Sequence, residues 1–292
     1  MPFTISHAAA VLPFVRRDGS GRGRLVPSLL VAGSFAPDLT YFAAGAVPGA
    51  MEFGAFTHSF TGVVTVDALF AVGLVALWRL VREPLLALLP GAVRARVRTV
   101  VRGRPGRAPG RASWWYVSAV LGSFTHVVWD AFTHRDRWGM RLLPVLGDDV
   151  AGSPLYWYVQ YAGSALALAV VAVFVWGAVR GAEPSAGRPA PGAGRRWLAL
   201  VVLGGCAAGG AAARVVRWLS YVDERRMAWK PWEIVPTVCF GGGAGLVIGL
   251  VLYALLLRVL QALRARRGPA TPVPPDGPGP VRPAGPSRRA VR

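Results

Sequence analysis

Cysteines and acidic side chains are scarce in this chain. Its 292 residues include two cysteines and 14 aspartates and glutamates, against 33 lysines and arginines. Cys206 and Cys239 each lie inside an apolar stretch, so a disulfide framework is not expected. No basic residue precedes the first apolar run, and that run lacks a convincing small-residue cleavage site. We therefore expect no cleaved signal peptide.

The placement of positive charge decides what the charge imbalance means. A formal net charge of +19 is, taken alone, compatible with nucleic-acid binding. The arginines, however, crowd between apolar segments and into the C-terminal tail, where positive charge sets membrane topology and meets anionic lipid headgroups. Because 53% of the residues are hydrophobic and mean hydropathy is +0.43, the expected partners are the lipid bilayer and anionic headgroups, and not nucleic acid.

Long apolar runs predict an all-α protein, a polytopic bundle of about six transmembrane helices. A spanning helix needs about 20 mostly apolar residues. Five segments meet this requirement: 60–81, 114–132, 156–179, 197–219 and 235–257.

Two shorter apolar runs, 5–15 and 25–35, precede these segments, and a basic stretch, 16–24, separates them. Each run is too short to span a bilayer. A helical hairpin with its basic turn on one side fits this pattern, and so does a single span at 25–44 preceded by an interfacial helix.

Composition predicts the domain organisation. We expect an integral membrane domain at 1–263, with a motif-bearing part at 5–135 and accessory helices at 156–257. The remainder, 264–292, is rich in proline, glycine and arginine and has no apolar periodicity. We expect this tail to be disordered.

Arginine placement also predicts topology. The linkers 82–113 and 180–196 and the tail are strongly basic, which assigns them to the cytoplasm. The connections 134–154 and 220–234 mix acidic with basic residues and are assigned to the opposite side. The pattern predicts a multi-pass membrane protein with a cytoplasmic C-terminus.

All histidines of the chain fall at the predicted outer ends of helices. His126, Asp130 and His134 follow one another at steps of four residues, so on a helix they project from one stripe. Imidazole and carboxylate at this spacing suit zinc, and also iron or manganese. In the hairpin arrangement the two ends of the hairpin reach the same level. We therefore predict a divalent metal site, zinc favoured, with these ligands: His7, Asp38, His58, His126, Asp130 and His134.

The alternatives for these residues are ordinary ones. A histidine near a helix end is more often interfacial or hydrogen-bonded than a ligand, and Asp130 alone can be a polar contact between helices. For Asp67, inside the first long apolar segment, an interhelical hydrogen bond and a functional role fit equally well. The glycines of 241–245 indicate close helix packing.

Several motifs carry a resemblance to known families: Ser6-His7, Ala36-Pro37-Asp38, Phe56-Thr57-His58-Ser59 and the helix from Thr125-His126 to Thr133-His134. They resemble the uncharacterised bacterial membrane family called domain of unknown function 4184 (DUF4184), over most of the chain. They are also similar, over residues 5–135, to bacterial membrane-bound metal-dependent hydrolases, in which a Pro-Asp step, a Phe-Thr-His-Ser box and a later His-x-x-x-Asp helix recur in that order. The arginine-rich, lysine-poor composition resembles that of an actinobacterial protein.

The second resemblance implies a hydrolase with ligands at His7, Asp38, His58, His126 and Asp130. Together with the location, it predicts a membrane-bound metal-dependent hydrolase acting at the outer face on a lipid or phosphate ester, with Asp130 or Asp38 as the catalytic base. The alternative is a non-enzymatic membrane protein, a transporter or assembly factor, whose His/Asp cluster is structural or binds protons or ions. The lack of visible repeats makes a transporter the less favoured form of that alternative.

Overall fold

A computed structural model of the chain describes residues 3–102, 112–185, 193–229 and 231–266. Nearly all regular structure in these ranges is helical, as predicted for an all-α protein. The α-helices are α1 (Ala8–Val11), α2 (Pro27–Phe35), α3 (Leu39–Ala43), α4 (Ala50–Thr57), α5 (Phe60–Val64), α6 (Val66–Leu88), α7 (Gly91–Arg102), α8 (Ala112–Thr133), α9 (Trp138–Leu142), α10 (Leu155–Arg180), α11 (Ala193–Glu224) and α12 (Ile234–Arg266). Two short strands, β1 (Asp149–Val150) and β2 (Ser153–Pro154), pair antiparallel after α9.

The chain divides into two compact units, Met1–Leu255 and Leu256–Arg292. The first unit contains every candidate ligand. Helix α12 continues through Arg266, three residues into the predicted tail, and the rest of that tail lies outside the described residues.

Among the described residues, three helices, α10, α11 and α12, are long and apolar enough to cross a membrane. Large apolar side chains on them point outward: Leu166 is 68% exposed, Val173 72% and Val201 68%. Outward apolar faces are what a lipid environment requires, whereas in water they would be costly. The chain is therefore compatible with a membrane protein, although the predicted count of about six spans is not confirmed.

The first predicted long segment, 60–81, is not one continuous helix. It is divided at Thr65, whose φ of −120° and ψ of −90° separate α5 from α6. Two causes coincide here. Val63 to Val66 is a run of β-branched residues, which have low helix propensity, and the Tyr116 hydroxyl donates a hydrogen bond of 2.7 Å to the Val64 carbonyl. The second half then runs past the predicted end, to Leu88.

The N-terminal residues form a turn between two helical stretches, as the hairpin alternative expects. Val15 pairs with Gly21 in an isolated bridge, and α2 begins with Pro27 at its first position, where proline is favoured. Helix α2, a 3₁₀ turn (Ala36–Asp38) and α3 follow one another without a gap, so the helical stretch from 27 to 43 also coincides with the predicted single span at 25–44. Both arrangements of this segment stay predictions.

The basic linker after α6 contains a helix that the sequence pattern did not predict. Arg98 and Arg102 of α7 contact the Glu83 carboxylate at 3.2 and 2.7 Å, and the Ser185 amide donates to the Ala95 carbonyl at 3.2 Å. Glu83 lies beyond the predicted span. Partial burial alone would raise the pKa of Glu83, but the hydrogen bond and charge of Arg102 lower it below its ordinary value.

Helix α2 packs directly on α8, and this contact positions the site. A Cβ added to Gly33 would overlap the Ala119 carbonyl oxygen, and one added to Gly122 would overlap the Leu30 carbonyl oxygen. The Ser123 hydroxyl also donates to the Gly33 carbonyl at 3.0 Å. Because the two backbones touch, the residues that follow α2 lie against the second half of α8.

Glycines also allow the backbones of α11 and α12 to approach each other closely. A Cβ on Gly210 would overlap the Gly241 carbonyl oxygen, and one on Gly245 would overlap the Cys206 carbonyl oxygen. The expectation of close helix packing at 241–245 is therefore confirmed.

Candidate metal centre

Five candidate ligands from separate parts of the first unit meet in one buried cluster. His7 ends a 3₁₀ turn, Thr4–His7, and Asp38 ends another that directly follows α2. His58 lies between α4 and α5, while His126 and Asp130 are one turn apart on α8. All five residues are 7% exposed or less.

Backbone carbonyls fix the orientation of two of the imidazoles. His126 Nδ1 lies 2.7 Å from the Ser34 carbonyl oxygen, and His58 Nδ1 lies 2.9 Å from the Gly54 carbonyl oxygen. Since a carbonyl only accepts, each Nδ1 carries a proton, and in the neutral imidazole each Nε2 therefore presents a lone pair. Histidine ligands of metals are held in this way by a hydrogen bond from the second ring nitrogen.

The two Nε2 atoms face two carboxylate oxygens. His58 Nε2 is 3.6 Å from Asp38 Oδ1 and 3.5 Å from Asp130 Oδ2. His126 Nε2 is 3.5 Å from the same two oxygens. All four donor atoms lie within 4.8 Å of one another. Among the described residues, no hydrogen-bond partner reaches either Nε2.

These distances fit ligands around an ion better than they fit hydrogen bonds. An N–H···O hydrogen bond measures about 2.7–3.2 Å between heavy atoms, shorter than any of the four separations. Zinc binds nitrogen and oxygen at about 2.0–2.2 Å in a tetrahedron, whose edges are then about 3.3–3.6 Å. The Asp38, His58, His126 and Asp130 group can therefore hold a metal ion.

His7 lies against this group. Its ring stacks on that of His126, with 3.5 Å between centroids, and its Nε2 is 3.5 Å from Asp130 Oδ1. Neither ring nitrogen of His7 has a hydrogen-bond partner among the described residues. An imidazole buried in this state has one nitrogen available as a further ligand.

His134 lies at the edge of the cluster. Its Nδ1 is 3.5 Å from Asp130 Oδ2, but its Nε2 is 2.9 Å from the Gln160 amide nitrogen, and its side chain is 35% exposed. The structure thus places it beside Asp130 and outside the four-residue group. Its assignment as a ligand stays a prediction.

Sequence reasoning missed the groups that support the ligands. The Thr4 hydroxyl donates to Asp38 Oδ2 at 2.5 Å, and the two carbonyls that hold the histidines belong to Ser34 and Gly54. A backbone carbonyl gives no signal in a sequence. Thr4 had a weak one, since it lies three residues before a predicted ligand.

Asp67 is buried in the first turn of α6 and is not part of the group. Neither of its carboxylate oxygens has a hydrogen-bond partner among the described residues. The interhelical hydrogen bond considered from the sequence is therefore absent from the described part of the chain.

Fold and site together define a helical protein, compatible with a membrane location, that carries a buried His/Asp centre able to hold a metal ion. The chain belongs to the family described as Domain of unknown function (DUF4184), whose model matches residues 1–255. No curated protein and no solved structure matches the chain. The family assignment is thus confirmed, while the similarity to metal-dependent hydrolases is not confirmed by these comparisons.

Proposed function

We propose that the protein is a membrane-bound metal-dependent hydrolase whose His/Asp centre lies at the outer face of the bacterial plasma membrane. The observation that carries this proposal is the arrangement of the two Nε2 atoms, on His58 and His126, toward the carboxylates of Asp38 and Asp130. Donor type and spacing favour zinc, with iron or manganese as alternatives. A cation bound there would polarise a scissile ester and lower the pKa of an attacking water toward neutrality.

The chain's own residues divide the remaining tasks. His58 and His126 hold the ion through nitrogens whose orientation is fixed by carbonyls. Asp130 and Asp38 are the candidates to accept a proton from water, each through an oxygen that the ion does not use. The substrate is a lipid or phosphate ester, because both kinds of ester can reach a centre at the outer face of the membrane.

Two observations support the orientation. Gly19, in the basic turn of the N-terminal hairpin, lies 3.7 Å from Val100 of α7, measured from an added Cβ, so two arginine-rich segments share one end. The candidate ligands lie at the opposite end of the hairpin. By the positive-inside rule the arginine-rich end is cytoplasmic and meets anionic headgroups, the centre faces outward, and the C-terminus is cytoplasmic.

A specific observation favours the second candidate, a non-enzymatic protein with a structural or ion-binding cluster. Four protein ligands complete a tetrahedron, as in structural zinc sites, whereas catalytic sites usually keep a position for water. The hydrolase therefore requires that the ion become five-coordinate or that one carboxylate move away. Turnover decides between the two functions.

The test uses full-length protein purified in detergent. Its content of zinc, iron and manganese is measured before and after chelation. The variants His126→Ala and His58→Ala are measured in parallel. The metal-reconstituted protein is then assayed on panels of phosphate esters and carboxylic esters. Metal bound through these histidines with metal-dependent turnover supports the hydrolase. Bound metal without turnover supports the structural role, and absence of metal at these residues rules out both metal roles.

A further inference from the structure

The residues that directly follow His134 in the sequence help to line a cavity of about 580 Å³. Three arginines line it, Arg135, Arg137 and Arg141, together with Asp136 and Tyr156. It lies in the connection assigned to the outer side, where the positive-inside rule predicts few arginines. Topology therefore does not explain this concentration of guanidinium groups.

Two connections lead from the cavity-lining residues toward the candidate metal centre. The charge of Arg137 acts on the Tyr41 phenol, and the Tyr41 ring lies 5.3 Å from the His58 ring, between centroids. Arg214 of α11 donates to the Tyr41 carbonyl at 2.7 Å, which holds the backbone of Tyr41 in place. A second connection is His134, which contacts Asp130 at 3.5 Å and directly precedes Arg135.

The guanidinium groups carry excess positive charge. Asp136 is the one carboxylate among the cavity-lining residues, and its side chain is 90% exposed and lies 3.9 Å from Arg135. Within the described ranges no carboxylate lies in salt-bridge distance of Arg137 or Arg141. Exposed pairs as long as that of Asp136 contribute little, so the cavity stays positive.

We propose that this cavity binds the phosphate group of the substrate, so that the ester cleaved at the metal centre is a phosphate ester. Guanidinium groups bind phosphate through two parallel N–H···O bonds, whereas a neutral carboxylic ester would leave the excess positive charge of the cavity uncompensated. The cleavage step rests on the proposed hydrolase function, whereas phosphate binding by the arginines does not.

Binding of inorganic phosphate to the full-length protein, measured by calorimetry in detergent, tests the proposal. Hydrogen bonds to charged groups contribute about 1.5–3 kcal/mol each, so the double variant Arg137→Gln/Arg141→Gln should bind phosphate at least about tenfold more weakly. The phosphate affinity of Arg137→Lys should lie between those of the wild type and the double variant, because lysine keeps the positive charge but cannot donate two parallel hydrogen bonds. Arg225→Gln, in the other connection assigned to the outer side, is the matched control and should bind as the wild type does.

Vesicles identify the source of the phosphate. Wild-type binding to phosphatidylcholine vesicles containing phosphatidic acid, lost in the double variant, would identify a lipid headgroup. Binding of inorganic phosphate without preference for such vesicles would identify a soluble phosphate ester. Either result supports phosphate recognition.

Equal phosphate affinity in wild type and double variant would overturn the inference, and so would acetate binding as tightly as phosphate. The metal content of the double variant separates this failure from failure of the proposed function. If the double variant has the metal content and the phosphate affinity of the wild type, phosphate binding by the arginine cavity alone is rejected. If the wild type shows no metal-dependent turnover but binds phosphate through the arginines, the hydrolase function alone is rejected.

Discussion

His126→Asn is the substitution that separates metal binding from folding most sharply. An asparagine amide occupies roughly the place of Nδ1, so it can keep the hydrogen bond to the Ser34 carbonyl that holds the imidazole at 2.7 Å. It carries no atom at the place of Nε2, which faces Asp38 Oδ1 and Asp130 Oδ2 at 3.5 Å. The variant should therefore fold and lose one ligand.

The size of the effect follows from the ligand set. Loss of groups that only support a ligand costs about 10–100-fold in metal affinity, so loss of one of four ligands should cost at least about 100-fold. For the wild type, an ion at about 100 times its dissociation constant stabilises the fold by about 2.7 kcal/mol. At about 2–4 °C per kcal/mol, the unfolding temperature should rise by roughly 5–10 °C.

The assay is thermal unfolding in detergent, followed by tryptophan fluorescence, with and without added zinc after chelation. We expect the zinc-dependent rise in the wild type and none in His126→Asn at the same zinc concentration. His134→Asn is the matched control, because its ring nitrogen contacts the Gln160 amide. An equal zinc-dependent rise in wild type and His126→Asn would refute the reasoning.

Three further predictions concern neighbouring features. Thr4→Val removes the hydrogen bond to Asp38 and should weaken metal binding about 10–100-fold, measured by competition with a chromophoric chelator; unchanged affinity would contradict a supporting role. Gly122→Ala introduces a Cβ where a carbonyl already lies and should destabilise the fold by about 1–3 kcal/mol, whereas Gly177→Ala, with nothing within 4 Å of its added Cβ, should not. Glu83→Gln should lower the unfolding temperature at pH 7, but it should have no effect at a pH below the lowered pKa of Glu83. The wild-type carboxylate loses its contribution to stability as pH falls through that pKa. A difference in unfolding temperature that persists in acid would count against this ion pair.

The sequence was informative where chemistry depends on residue type and spacing. A step of four residues places His126 and Asp130 on one face of any helix, and the hairpin interpretation brings Asp38 to the same level. Those predictions needed no tertiary detail.

Other features depend on contacts that no periodicity encodes. The break at Thr65 arises partly from a tyrosine hydroxyl on another helix, and α7 is held at its position by contacts to α6 and to the segment after α10. Short helices such as α2 have the same local pattern whether they cross lipid or pack on a neighbour. The span count is therefore a prediction that the structure does not confirm.

Charge in the cluster argues for a cation independently of the ligand geometry. Two carboxylates, on Asp38 and Asp130, are buried to 4% exposure or less, and the two Nε2 lone pairs of the orienting histidines point toward them. Lone pairs and negative charges facing one another without a positive charge between them are unfavourable in a low-dielectric interior. A divalent cation resolves this, and so do protons taken up by the imidazoles, which would turn each 3.5 Å separation into a contracted hydrogen bond. The four N···O separations of 3.5–3.6 Å are longer than hydrogen bonds and match the edges of a tetrahedron around zinc, which favours the cation.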